Sequence, residues 1–177
     1  MRKWSMSELN RLSVNEFKET VKTPLIIILD NVRSANNIGS VFRTADAFAL
    51  EALHLCGITA CPPQKDIRKT ALGASDSVQW TYWKQTVEAV QSLKAEGYQV
   101  IAIEQAEGSI FLQDFAVEPQ GKYAIIFGHE VNGVSDEVME LVDACIEIPQ
   151  FGTKHSLNIA VSVGVVVWDL FAKIKFS

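Results

Sequence analysis

The chain has 177 residues, 48% of them hydrophobic and 21% charged, and a net charge of −5. That length suits one ordinary domain with a full core, and the composition excludes a disordered or low-complexity protein. The longest apolar run, LNIAVSVGVVVWDLF, has 15 residues, short of the roughly 20 that a membrane-spanning helix needs.

Residues 1–22 read as a short, basic, helical segment, with five Lys/Arg against three Glu. Within it, SVNE (13–16) has the form of a capping box, Ser13 and Glu16 satisfying free amides at a helix start. No apolar stretch marks this segment for export. Pro24 ends the helix, and residues 23–177 read as a single domain. PLIIILD (24–30) is a continuous apolar run, the pattern of a strand buried on both faces. In NIGSVFRTADAFAL, Ile38, Val41, Phe42, Ala45 and Phe48 recur at helical spacing, and EALHLCG (51–57) then completes a βαβ unit. A long loop is predicted over ITACPPQKDIRKTALGASDS, a length often tied to function. The remaining expected elements are strands at VQWTYW, YQVIAIE, YAIIFG and ACIEIP, and helices over 84–96, SDEVMELV and 156–174.

The last helix is rich in β-branched residues, so length decides its assignment. Two stripes run along it, one of Ala160, Gly164 and Trp168 and one of Leu157, Val161 and Val165. Core packing is their first reading and a subunit interface the second. Strands alternating with helices predict an α/β fold with a mostly parallel sheet and helices on both faces.

Charge is unevenly spread. From Tyr123 to Thr153 there are six acids and no Lys or Arg, whereas basic residues gather in the first 22 residues, in KDIRK (65–69) and at Lys154-His155. A polyanion would meet those basic patches. In an open α/β sheet, ligands bind beyond the carboxyl ends of the strands. Polar residues and glycines cluster there, at Asp30 to Gly39, Glu104-Gln105, Gly128 to Gly133 and Pro149 to Asn158.

Familiar site motifs are absent. There is no G-x-G-x-x-G after a strand and no P-loop. HEVNG (129–133) lacks the second histidine of a zinc protease, so no metal is expected, and no G-x-S-x-G elbow surrounds a serine. Cys56, Cys61 and Cys145 contain no CxxC pair, which favours reduced thiols in a cytoplasmic protein.

Three islands, NNIGSVFRTADAF, AIIFGHEVNGVSDEVMELVDACIEIPQFG and HSLNIAVSVGVVVWDL, resemble in order and spacing the three motifs of the SpoU (TrmH) family of RNA ribose 2′-O-methyltransferases, in the SPOUT superfamily. KTALGA and AIEQ also look like segments of that family. The resemblance implies a parallel α/β sheet closed by a C-terminal deep trefoil knot, with S-adenosyl-L-methionine bound in the knot. It places the cofactor against Gly128, Ile148 and Leu157, and also Gly73 and Glu104. It assigns the catalytic arginine to Arg43, with Asn37, Glu130, Ser156 and Asn158 around the reaction. It also implies a homodimer in which the arginine of one subunit faces the cofactor of the other. The implied substrate is structured RNA; tRNA is preferred because a compact domain can read a small folded RNA by shape, and rRNA follows closely. The rival reading is a non-catalytic RNA- or cofactor-binding module of the same fold.

Overall fold

Residues 1–9, 11–154 and 156–176 are described by a computed structural model; His155, part of the basic cluster noted above, lies outside the described residues. The capping box forms at α1 (Val14–Glu19): the Ser13 hydroxyl accepts the Glu16 amide at 3.3 Å and the Glu16 carboxylate accepts the Ser13 amide at 2.7 Å. Phe17 of this helix is buried, so the amino-terminal segment packs across the domain.

The chain then runs through β1 (Thr23–Asp30), α2 (Ala35–Ala47), β2 (Leu50–Cys56), α3 (Lys65–Ala71), α4 (Ala74–Ser77), β3 (Trp80–Trp83) and α5 (Thr86–Ala95). It continues through β4 (Gln99–Ile103), β5 (Ile110–Phe111), β6 (Tyr123–Phe127), α6 (Asp136–Met139), β7 (Ala144–Glu147) and α7 (Ile159–Phe176). The seven strands form one sheet in the order β3-β2-β1-β6-β4-β7-β5, and every pairing is parallel.

Strand alternation sorts the core into two layers. Leu25, Ile27 and Leu29 of β1 face the side covered by α2 and α7, among Ile38, Phe42, Val163 and Val167. Ile26 and Ile28 face the side covered by α5 and α6, with Val90, Leu93 and Val138. β1 is thus buried on both faces, and helices cover both sides of the sheet.

Four expectations are corrected. The predicted loop 58–77 contains α3 and α4, because Ile67, Ala71 and Ala74 find a core surface on which to close helical turns. The helix expected over 135–142 stops at Met139, and the two-residue β5 carries too short a pattern to be seen. The terminal helix begins at Ile159, which leaves Ser156 to Asn158 as a non-helical lead-in. Its β-branched residues tolerate the helix because Val163, Val166, Val167 and Leu170, at helical spacing, are fully buried: tertiary packing overrides propensity. Neither stripe read from the sequence is the core face; Val161, Val165 and Trp168 are exposed.

Candidate active site

The strand order reverses beside β1: the chain moves outward through β2 and β3, returns to β4, and inserts β6 between β4 and β1. Open parallel sheets bind ligands at such a point, beyond the strands' carboxyl ends. A cleft of about 580 Å³ opens there, walled by the ends of β4 (Ile103, Glu104, Gln105) and β6 (Phe127, Gly128), by Ile148 after β7, and by Asn37 of α2. The loop 129–133 and the lead-in residues Ser156, Leu157 and Asn158 complete it.

The loop after β6 is folded tightly on itself. His129 and Gly133 exchange two backbone hydrogen bonds, each 2.9 Å. A side chain at Gly128 would put its Cβ 2.0 Å from the Gly133 carbonyl carbon and 2.1 Å from the Val134 nitrogen, so only glycine lets the loop return across the strand end. The His129 imidazole caps this turn, its Nδ1 accepting the amide hydrogens of Val131 (3.0 Å) and Asn132 (3.3 Å). The sequence offered this histidine only as half of a failed zinc motif.

Three carboxylates hold the loop. Glu104 accepts the Val134 amide at 3.1 Å and the Gln105 amide at 3.0 Å, tying the loop to the end of β4. Glu130 reaches across to the entrance of α2 and accepts the amides of Arg33 (3.0 Å) and Ser34 (2.9 Å). Burial pushes the Glu130 carboxyl upward, but those amides, its own backbone amide and nearby His129 outweigh that effect and hold it below the usual range. Asp30, fully buried at the end of β1, accepts Ser135 N–H and Oγ–H, both at 2.9 Å, and also Thr86 Oγ–H (2.5 Å) and Asn31 Nδ2–H (2.9 Å). A buried carboxylate is tolerated when donors surround it this way. Asp30 carried no separate signal in the sequence beyond its place at a strand end.

The third island joins the first here. Asn158 caps α7, its Oδ1 accepting the Ala160 amide at 2.9 Å, while its Nδ2 donates to Asn37 Oδ1 at 3.3 Å. Ser34 caps α2 by accepting the Asn37 amide. Asn37 is therefore fixed from both sides.

Of the residues predicted for the site, Asn37, Glu104, Gly128, Glu130, Ile148, Ser156, Leu157 and Asn158 meet at this cleft. Arg43 does not. Two turns along α2, it lines a separate cleft of about 620 Å³ with Arg11, Phe17, Asp46, Leu72 and Ala74. Gly73 is also away from the strand ends, in the left-handed turn between α3 and α4 (φ 93°) with open space around it. Both belong to the α2–α3–α4 layer, which faces the amino-terminal segment. Gln105 and Gln150, from the polar clusters read at the strand ends, also line the first cleft, as does Ser162, which the sequence had not singled out for a site.

The fold and cleft define an α/β protein with a ligand site at the switch point of a parallel sheet, built from three sequence islands. The chain belongs to the SpoU rRNA Methylase family, whose sequence model matches residues 24–168. It is 30% identical over 167 residues to a tRNA (guanosine(18)-2′-O)-methyltransferase of Thermus thermophilus, an alignment covering 92% of this chain and 82% of that protein. It is 27% identical over 163 residues to the 23S rRNA (guanosine-2′-O-)-methyltransferase RlmB of Haemophilus ducreyi, covering 92% of this chain and 65% of that one. The AdoMet-bound rRNA methyltransferase of Sinorhizobium meliloti superposes with a TM-score of 0.81 at 24% identity. That match covers 91% of this chain but only 61% of the longer Sinorhizobium protein, and it shows the fold.

Proposed function

We propose that this protein transfers a methyl group from S-adenosylmethionine to a ribose 2′-oxygen of structured RNA in the cytoplasm, with tRNA the favoured substrate and rRNA a close second. The observation that carries the proposal is the Asn158–Asn37 hydrogen bond with the Glu130 clasp, which draws all three family motifs to one cleft.

The residues present suit the cofactor. Phe127, Ile103, Ile148 and Leu157 offer apolar walls for a purine, and Glu104 and Glu130 are the lining carboxylates, with no Lys or Arg among the described lining residues. A cleft of that sign favours a cationic sulfonium. When bound, S-adenosylmethionine would supply an electrophilic methyl group: the bond to the 2′-oxygen forms as the methyl–sulfur bond breaks, the neutral thioether leaves, and the 2′-hydroxyl proton passes to solvent water. Asn37, Asn158 and Ser156 orient the ribose with neutral hydrogen-bonding groups. Glu130 acts through α2, fixing the helix entrance that carries Asn37.

The role of Arg43 is to clamp a phosphate and stabilise the developing alkoxide. From its own cleft it would serve the site of a second subunit. Support for that homodimer comes from the exposed apolar stripe of Val161, Val165 and Trp168 on α7, the helix that packs beside α2. The knot expected from the family is part of the same reading. It is supported by the return of α7 from the β7 side to α2, and by residues 156–158 lying against the loop after β6. Residues 1–22 are read as a basic segment appended to the methyltransferase domain 23–177.

The test is incubation with radiolabelled S-adenosylmethionine and total RNA from a strain lacking the gene. We expect label in RNA that survives alkali as dinucleotides, and at least about 100-fold less transfer by Arg43→Ala with cofactor binding retained. Cofactor binding without transfer to any RNA would favour the binding-module reading.

A further inference from the structure

Helix α3 carries a cationic face that the cleft and its chemistry leave unused. Ile67 and Ala71 anchor the helix in the core. At 100° per residue, Lys65, Arg68 and Lys69 fall on the opposite side within an arc of about 100°, and all three are exposed. Asp66 lies on the flank of that arc. Among the described residues, the ion pairs are Arg2–Glu8, Lys94–Asp143 and Lys173–Asp169, and none involves these three cations.

The stripe is rigidly placed relative to the site. Gly39 of α2 lets α3 approach so closely that a Cβ there would lie 1.9 Å from Thr70 Oγ1 and 2.4 Å from the Ile67 carbonyl oxygen. Thr70 Oγ–H also donates to the Asn36 carbonyl at 3.0 Å, in the helical turn that holds Asn37. At its far end α3 runs into Leu72, which is 71% exposed and shares the second cleft with Arg43. The cations therefore stand on a helix that abuts both the Asn37 end and the Arg43 end of α2.

We propose that Lys65, Arg68 and Lys69 form a docking surface for the phosphate backbone of the substrate RNA, seating it along α3 while its ribose enters the active site. This rests on the function proposed above and adds to it the surface that holds the RNA. A protein of net charge −5 has to concentrate its attraction for RNA locally, and the six acids and missing cations of residues 123–153 leave that segment unsuited to the task. Lys65 and Lys69, four residues apart, are about 6 Å apart along the helix axis, so they would engage different phosphates.

The test compares wild type with Lys65→Gln/Arg68→Gln/Lys69→Gln, which keeps good helix formers, and with Lys65→Arg/Lys69→Arg, which keeps the charge. Binding of unmodified bulk tRNA is titrated from about 50 to about 200 mM salt. The glutamine variant should bind about 30-fold more weakly at the low end, with a salt slope shallower by about 2 to 3 and the deficit largely closed at the high end. Its S-adenosylmethionine affinity and solution mass should match wild type, and the arginine variant should bind RNA as wild type does. Unchanged RNA affinity and slope in the glutamine variant would overturn the proposal, leaving a solvated or protein-facing helix. Wild type that binds tRNA through the stripe yet methylates no RNA would instead sink the functional reading and leave the docking surface standing.

Discussion

At the scale of single residues, the site is organised by carboxylates that bind amides rather than by charges facing one another. Glu130 is the clearest instance. Its motif position implied a place around the reaction, and the structure shows it holding the backbone of Arg33 and Ser34 at the mouth of α2. Glu130→Gln keeps the shape but turns one acceptor into a donor facing an amide hydrogen. Losing a hydrogen bond to a charged group costs about 1.5–3 kcal/mol. We expect kcat/KM for RNA to fall by about 10- to 100-fold, with a smaller loss of cofactor affinity by calorimetry. A larger loss of cofactor affinity than of turnover would place Glu130 on the cofactor instead. Asp30 performs the matching task from below, joining β1, the start of α5 and the turn at Ser135.

At the scale of elements, two contacts lead to measurable consequences. α2 and α3 meet over Gly39, whose backbone needs no special φ; glycine is required there for closeness alone. Gly39→Ala forces α3 away, and overpacking of this kind costs about 1–3 kcal/mol. Urea unfolding should show that loss, and a variant as stable as wild type would mean the helices can part freely.

On β2, His54 is buried against Trp83 (ring centroids 5.6 Å apart) and its Nδ1 has no hydrogen-bond partner among the described residues. Burial lowers its imidazole to about 4, with Glu96 only partly opposing. The unfolded chain takes up that proton near pH ~6.5, so the stabilising effect is full above that value and declines as pH falls toward 4. Between pH 7 and pH 5 the wild type should lose about 2 kcal/mol that His54→Phe does not lose. Parallel pH profiles for the two proteins would remove this role.

At the scale of the whole molecule, the two clefts pose one question, because the residues proposed for one reaction are divided between them. Arg43 stands away from Asn37 and Glu130, a separation that the proposed second subunit would resolve. Val161 (51% exposed) and Trp168 (54%) lie on the α7 face turned away from the core. A single buried charge at such an interface opposes association. Val161→Glu should therefore change the solution mass from dimer to monomer at micromolar protein and abolish methyl transfer, while thermal unfolding still shows a cooperative domain. A wild-type monomer that transfers methyl groups would end the composite-site reading.

The sequence by itself determined what local interactions decide. The continuous apolar run of β1, the 3.6-residue spacing of α2 and the Ser13–Glu16 cap are interactions among near neighbours, and they appear where they were expected, whereas the first helix already stops at Glu19 and Pro24 lies inside β1. The motif islands likewise marked most of the cleft-lining residues. Tertiary structure decided the rest. The bonds that make the site join residues far apart in the chain, with Glu130 97 residues from Arg33 and Asn158 121 residues from Asn37. Arg43, two turns beyond Asn37 along α2, and Gly73, in the turn after α3, stand away from those strand ends, and the core surface turned an expected loop into α3. Pattern and spacing describe a chain against its own neighbours, whereas the partner of a carboxylate depends on which strand ends the closed sheet brings together.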